Sequence, residues 1–164
     1  MKWLKTYKIL ESVQEIESIV EKYISESEYD LEKSLGNCAF FAKDFYEWCV
    51  KNKINCDLLY LKLDEDFIEA DEIEDHIIIK VNGYLIDFVY SDNGVSKRWI
   101  NQNESDALKS QIKPNIISES DFNKFYSKFG YFEIEEISYD DAFGSGGRCL
   151  TIDYPKKSRI NFIK

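Results

Sequence analysis

Cys38, His76 and Asp87 are the side chains of this sequence whose types, order and settings fit nucleophilic chemistry. A cysteine attacks as its thiolate, a histidine takes and returns the proton, and a carboxylate orients the imidazole and favours its charged form. Such a set attacks acyl carbons, amides among them. Cys38 lies in Gly36-Asn37-Cys38-Ala39-Phe40-Phe41-Ala42, and apolar residues continue through Phe45, Trp48 and Cys49. The pattern predicts a buried helix from about Cys38 to Lys51, with Asn37 as N-cap and Gly36 allowing a tight turn into it. Cys38 then stands in the first turn. Backbone N–H groups without an intrahelical acceptor and the helix dipole favour a thiolate there, below the ordinary thiol value of about 8.5. The same N–H groups could bind an oxyanion, which makes Asn37 and Cys38 the candidate oxyanion residues.

His76 is the single histidine of the chain. It opens the run His76-Ile77-Ile78-Ile79-Lys80-Val81 directly after an acidic segment, which puts it at a sheet end. Tyr84 to Tyr90 reads as the next strand. Asn82-Gly83 between the two is a strong hairpin signal, because both central positions of a type I′ turn need positive φ. A two-residue loop pairs Val81 with Tyr84, Ile78 with Asp87 and His76 with Val89. His76 and Asp87 are then diagonal neighbours on one face of the hairpin. Ile77, Ile79, Val81, Tyr84, Ile86 and Phe88 form the other face, read as a core face, and Asp87 breaks an apolar run on the side where His76 projects. Asp75 adjoins His76 but points to the other face, and Asp92, beyond the strand, is the reserve candidate. Each residue has a plain structural alternative: Cys38 a small buried hydrophobe, His76 a capping or surface residue, Asp87 a solvated edge acid.

The string Gly36-x-Cys38-x-x-Phe41-Ala42 resembles the G-x-C-x-x-F-A around the nucleophile of transglutaminase-like proteins. In that family a strand histidine and an aspartate on the following strand come next, and His76 and Ile86-Asp87-Phe88 match those positions. The resemblance spans roughly Gly36 to Tyr90. It implies a papain-like core, with the nucleophile helix packed on an antiparallel sheet. The activities it implies run from peptide hydrolysis to glutamine deamidation or cross-linking, and some members have lost catalysis. Ile78 stands where members often carry an aromatic residue, and no position matches the family's additional oxyanion donor.

The remaining elements read as an α+β fold in one domain covering 1–164. Ile9, Val13, Ile16, Val20, Tyr23 and Ile24 recur at helical spacing and predict an N-terminal helix over 9–25. Leu58 to Leu63 reads as a strand. Asn103 to Gln111 and Asp121 to Lys128 read as short helices, the second capped by Ser120. Tyr131 to Ile137 and Arg148 to Tyr154 read as strands on either side of Gly144-Ser145-Gly146-Gly147, a turn without the frame of a phosphate-binding loop.

With 15% aromatic residues the chain is too rich in core formers for a disordered protein. A net charge of −10 argues against a general nucleic-acid binder, which needs a basic face for phosphates. No apolar run approaches a membrane span and the N-terminus has no signal-peptide pattern, so a cytoplasmic protein is expected, delivery by a signal-less route aside. The four cysteines, at 38, 49, 56 and 149, form no CxxC pair. No metal and no cofactor is therefore expected, the weaker idea being a zinc site of Cys38, Cys49, Cys56 and His76. The acidic segment Asp64 to Asp75 lacks the glycine of an EF-hand. It reads as a solvated connection or, if it borders the site, as a surface favouring a basic protein or peptide substrate. Two classes besides an enzyme stay open: a non-catalytic binding module that kept the fold, and a regulatory or immunity-type partner whose acidic loop mimics an anionic surface.

Overall fold

The structure, a computed structural model, describes residues 2–27, 38–64, 76–88 and 114–149, the side chains of residues 2–11 excepted. The described elements are helices and one antiparallel sheet, an α+β arrangement as expected. Helix α1 (Lys2–Glu26) begins seven residues before the predicted 9–25. Helix α2 (Cys38–Lys51) has the predicted bounds. Strands β1 (Asp57–Leu63), β2 (His76–Val81) and β3 (Tyr84–Asp87) follow. Next come β4 (Asn115–Ser118), helix α3 (Phe122–Tyr126), β5 (Tyr131–Ile137) and helix α4 (Tyr139–Phe143). The sheet order is β4-β3-β2-β1-β5 with every pairing antiparallel.

The hairpin has the expected register: Val81 opposes Tyr84, and Ile79 opposes Ile86. Asn82 (φ 50°) and Gly83 (φ 78°) both take the left-handed conformation that a two-residue turn of this kind demands. Both faces of the sheet are closed. One face of the sheet packs against α1 and α2 through Ile77, Ile79, Val81, Ile86 and Phe88. The other is equally closed: Leu59, Leu61, Ile78 and Leu85 pack against Phe122 and Tyr126 of α3 and Tyr131 of β5. The unbroken apolar run of β2 is the mark of a strand buried on both sides.

Aromatic side chains lock α2 onto the hairpin. Phe88 stacks on Phe41 at 5.2 Å and meets Phe45 edge-on at 5.6 Å, while Tyr23 of α1 contacts both Phe45 and Phe88. The Tyr23 hydroxyl donates to the Asp44 carboxylate at 2.7 Å, so a buried phenol keeps its polar end satisfied. On the far side of α2, Tyr139 of α4 stacks on Tyr46 at 5.5 Å and its hydroxyl donates to Glu47.

Three short elements differ from expectation. Strand β4 is absent from the sequence reading, since Ile116 and Ile117 alone make too short a pattern. Ser120 caps nothing: a 3-10 turn over Glu119–Asp121 leads into α3, and another over Ser127–Phe129 leaves it. Arg148 and Cys149 are not in a strand; they follow the glycine turn, with the Cys149 N–H bonded back to the Ala142 carbonyl at 2.9 Å. The expected helix over 103–111, the strand residues 150–154, and Gly36, Asn37, Asp75, Val89 and Asp92 lie outside the described residues, as does the acidic segment beyond Asp64.

Candidate functional site

Cys38 is the first residue of α2, and His76 is the first residue of β2. The packing of α2 on the sheet brings these two ends together. Phe41 and Ala42, one turn along α2, line the same narrow space as Cys38, Ile77 and Phe88. Because side chains alternate along a strand, Ile77 and Phe88 point into the α2 core while their neighbours His76 and Asp87 point to the other face. The aromatic anchor at Phe88 thereby fixes where Asp87 stands. Cys38 reaches the histidine by lying at the strand end, where the His76 side chain and the backbone N–H of Ile77 both act on the thiol.

His76 Nε2 lies 2.7 Å from Asp87 Oδ2, the diagonal contact that the register implies. With Nε2 engaged by the carboxylate, Nδ1 is the ring nitrogen left for Cys38. Asp87 Oδ2 also accepts a hydrogen bond from the Tyr126 hydroxyl at 2.7 Å. Hydrogen bonds thus connect His76, Asp87 and Tyr126 in a line, with Cys38 beside the imidazole end. Tyr131 flanks the imidazole, its ring centre 5.7 Å away. His76 is 3% exposed and Asp87 1%, which excludes a surface histidine and a solvated acid, whereas Cys38 is partly exposed.

The charges in this line support one another. Burial alone would push the imidazole down; the Asp87 carboxylate, then Cys38, and hydrogen bonds to both outweigh it and raise His76 well above its ordinary 6.5. Burial likewise raises Cys38, and Asp87 adds to that. The His76 charge and hydrogen-bonding influence and the Ile77 N–H outweigh them, so the thiol ends below its ordinary value. Both shifts favour a thiolate–imidazolium pair. As the first helical residue, Cys38 also has a backbone N–H with no acceptor within the helix. Asn37, the other candidate oxyanion residue, is outside the described residues.

Sequence reasoning missed Tyr126 and Asn115. Asn115 opposes Asp87 in the β3–β4 register and is 3% exposed, and its Nδ2 has no hydrogen-bond partner. Both come from the segment after Pro114, where patterning is weak; a tyrosine in an otherwise apolar helix face was the available signal for Tyr126. Among the described residues no cluster of His, Cys, Asp and Glu is arranged to hold a metal ion. The zinc idea fails on distance, since Cys49 lies eleven positions along α2 from Cys38, about 16 Å at 1.5 Å per residue. No described helix is long and apolar enough to cross a membrane. Comparison with protein-family models, with curated proteins and with solved structures finds no match.

Proposed function

We propose that this chain is a cysteine-dependent enzyme acting on amide bonds of a protein or peptide, either peptide bonds or glutamine side chains. The observation that supports it is a helix-start thiol beside a buried imidazole that is hydrogen-bonded to a buried carboxylate. Cys38 attacks the amide carbon as a thiolate, and the Cys38 backbone N–H donates to the oxyanion that forms. His76 carries the proton that leaves with the amine or ammonia, and Asp87 holds the ring so that Nδ1 faces the sulfur. A thioester results. Water attacking it, with His76 as base, completes hydrolysis or deamidation; an amine in place of water completes transfer. A nucleophile helix on an antiparallel sheet is also what a papain-like core of transglutaminase type requires, and we assign the fold to that group on the same observation.

The test is mass spectrometry of cellular proteins exposed to the wild-type chain or to Cys38→Ala. A new terminus identifies peptide cleavage, an amide-to-acid mass change deamidation, and a cross-link transfer. Identical peptide populations from the two proteins would leave a non-catalytic binding module as the better reading.

A further inference from the structure

Asn115 opens β4 directly after Pro114 and opposes Asp87 in the β3–β4 register. Asparagine is a residue of surfaces and turns, yet this one, in the end strand of the described sheet, is 3% exposed. Its side chain belongs to the face of the sheet that carries the site. Ile116 packs toward α1 and α2, and Ile117 toward Phe122 and Tyr126 of α3. Alternation then puts Asn115 on the α3 side, with Asp87 and Tyr126. Its Nδ2 is buried without a hydrogen-bond partner, the one such side-chain atom among the described residues. An unmet buried donor is destabilising, and an apolar side chain would fill the place without that cost, as Ile116 and Ile117 do beside it. The acceptor nearest by register is the Asp87 carboxylate. Directly opposed residues hold their Cβ atoms about 4.5–5.5 Å apart, and an asparagine amide turns readily about its last bond. Carboxylates have about four acceptor positions; Asp87 Oδ2 meets His76 and Tyr126, both at 2.7 Å.

We propose that Asn115 is a positioning residue for Asp87, its Nδ2 turning to the carboxylate when His76 is neutral and so supporting the ring as base for the second half of the reaction. The proposal rests on the amide-bond reading above, in which formation of the thioester leaves the ring neutral. The need for a further donor follows the charge on His76. Beside an imidazolium the carboxylate has its counter-charge, and Nδ2 is not called upon. Once the ring has given its proton to the leaving amine, Asp87 is a buried carboxylate beside a neutral imidazole. The other groups that face the imidazole among the described residues are Cys38 from α2, Tyr126 from α3 and Tyr131 from β5. The acylated sulfur is uncharged, and so are both phenols near neutral pH. The Asn115 amide is the polar group on β4 placed to answer the carboxylate. A donor on Asp87 favours the neutral ring, because it draws on the charge that would otherwise hold the imidazolium. Its loss therefore raises the proton affinity of His76.

The test uses the full chain carrying Cys38→Ser, whose uncharged hydroxyl stands in for the acylated sulfur. His76 is the single histidine, so its ring nitrogen signals in NMR titrate without overlap. Adding Asn115→Leu should move the His76 titration upward by about half to one pH unit, roughly a three- to tenfold gain in proton affinity. Asn115→Val, well suited to a strand, should do the same and serves if the first variant fails to fold. A His76 titration unmoved or lowered in a folded variant would make Asn115 a packing residue and overturn the proposal. Alkylation of wild-type Cys38 across pH, measured alongside, tells the two failures apart. An ordinary-thiol profile removes the amide-bond reading and this proposal with it, whereas an acidic thiol with an unmoved His76 removes only the role of Asn115.

Discussion

Asp87→Asn keeps the shape of the side chain and removes its charge. The carboxylate is 1% exposed, 2.7 Å from His76 Nε2, and accepts the Tyr126 hydroxyl at the same distance. At that separation an effective dielectric near 20 gives a gross attraction of about 6 kcal/mol between unit charges. Desolvation of the buried charges opposes it, and removing one partner of a buried pair has a net effect of about 3–5 kcal/mol. The fold loses less, about 1–3 kcal/mol, because the amide oxygen can still accept the Tyr126 proton and the imidazole can shed its charge. The larger figure falls on the balance between thiolate–imidazolium and thiol–imidazole. At about 1.4 kcal/mol per tenfold, it lowers the ion-pair population roughly 10²- to 10⁴-fold. The assay is alkylation of Cys38 by a neutral haloacetamide near neutral pH, which reads the thiolate without needing the substrate. The rate should fall to that of an ordinary thiol, which sets the floor, and turnover should fall with it. A folded Asp87→Asn protein alkylating at the wild-type rate would refute the role given to the carboxylate.

Tyr126→Phe removes one hydrogen bond to the carboxylate and should lower stability by about 1.5–3 kcal/mol in denaturant titration, slowing Cys38 alkylation less than Asp87→Asn does. Phe45→Ala empties a fully buried site between α1, α2 and Phe88, and should cost about 3–5 kcal/mol in the same titration. The pH dependence follows from the two shifts. His76, raised above 6.5, contributes stability that is full below that value and is lost as pH climbs through its folded value. Cys38, lowered from its ordinary value, contributes stability present above that value and lost as pH falls through its folded value. Turnover should therefore rise through the Cys38 value and fall through the His76 value, a bell that a pH–rate series checks; an acid limb at the ordinary thiol value would contradict the shift.

Helix α2 and the β2–β3 hairpin were legible because each carries a local signal. For α2 it is an apolar run opening at Cys38; for the hairpin it is Asn82-Gly83, which sets the register that makes His76 and Asp87 diagonal neighbours. Arithmetic on that register was enough to single out Asp87. The second core face was not legible from periodicity, since Leu59, Leu61, Ile78 and Leu85 acquire their partners from Phe122, Tyr126 and Tyr131 far along the chain. For the same reason Tyr126 escaped: its contact with Asp87 spans 39 positions and depends on how α3 docks. Helix α4 did carry a start signal. Ser138 accepts the Asp141 N–H at 3.1 Å, a serine cap of the expected kind, but five residues give no periodicity to go with it.

The central claim is that Cys38 is held as a thiolate by His76. The direct measurement is the pH profile of Cys38 alkylation in the wild type and in His76→Ala, read peptide by peptide beside an ordinary thiol. Wild-type Cys38 should remain reactive at about pH 6, and the variant's titration should move up toward the ordinary value of about 8.5. Superimposable profiles for the wild type, the variant and the ordinary thiol would make Cys38 a structural cysteine and remove the basis for an enzyme.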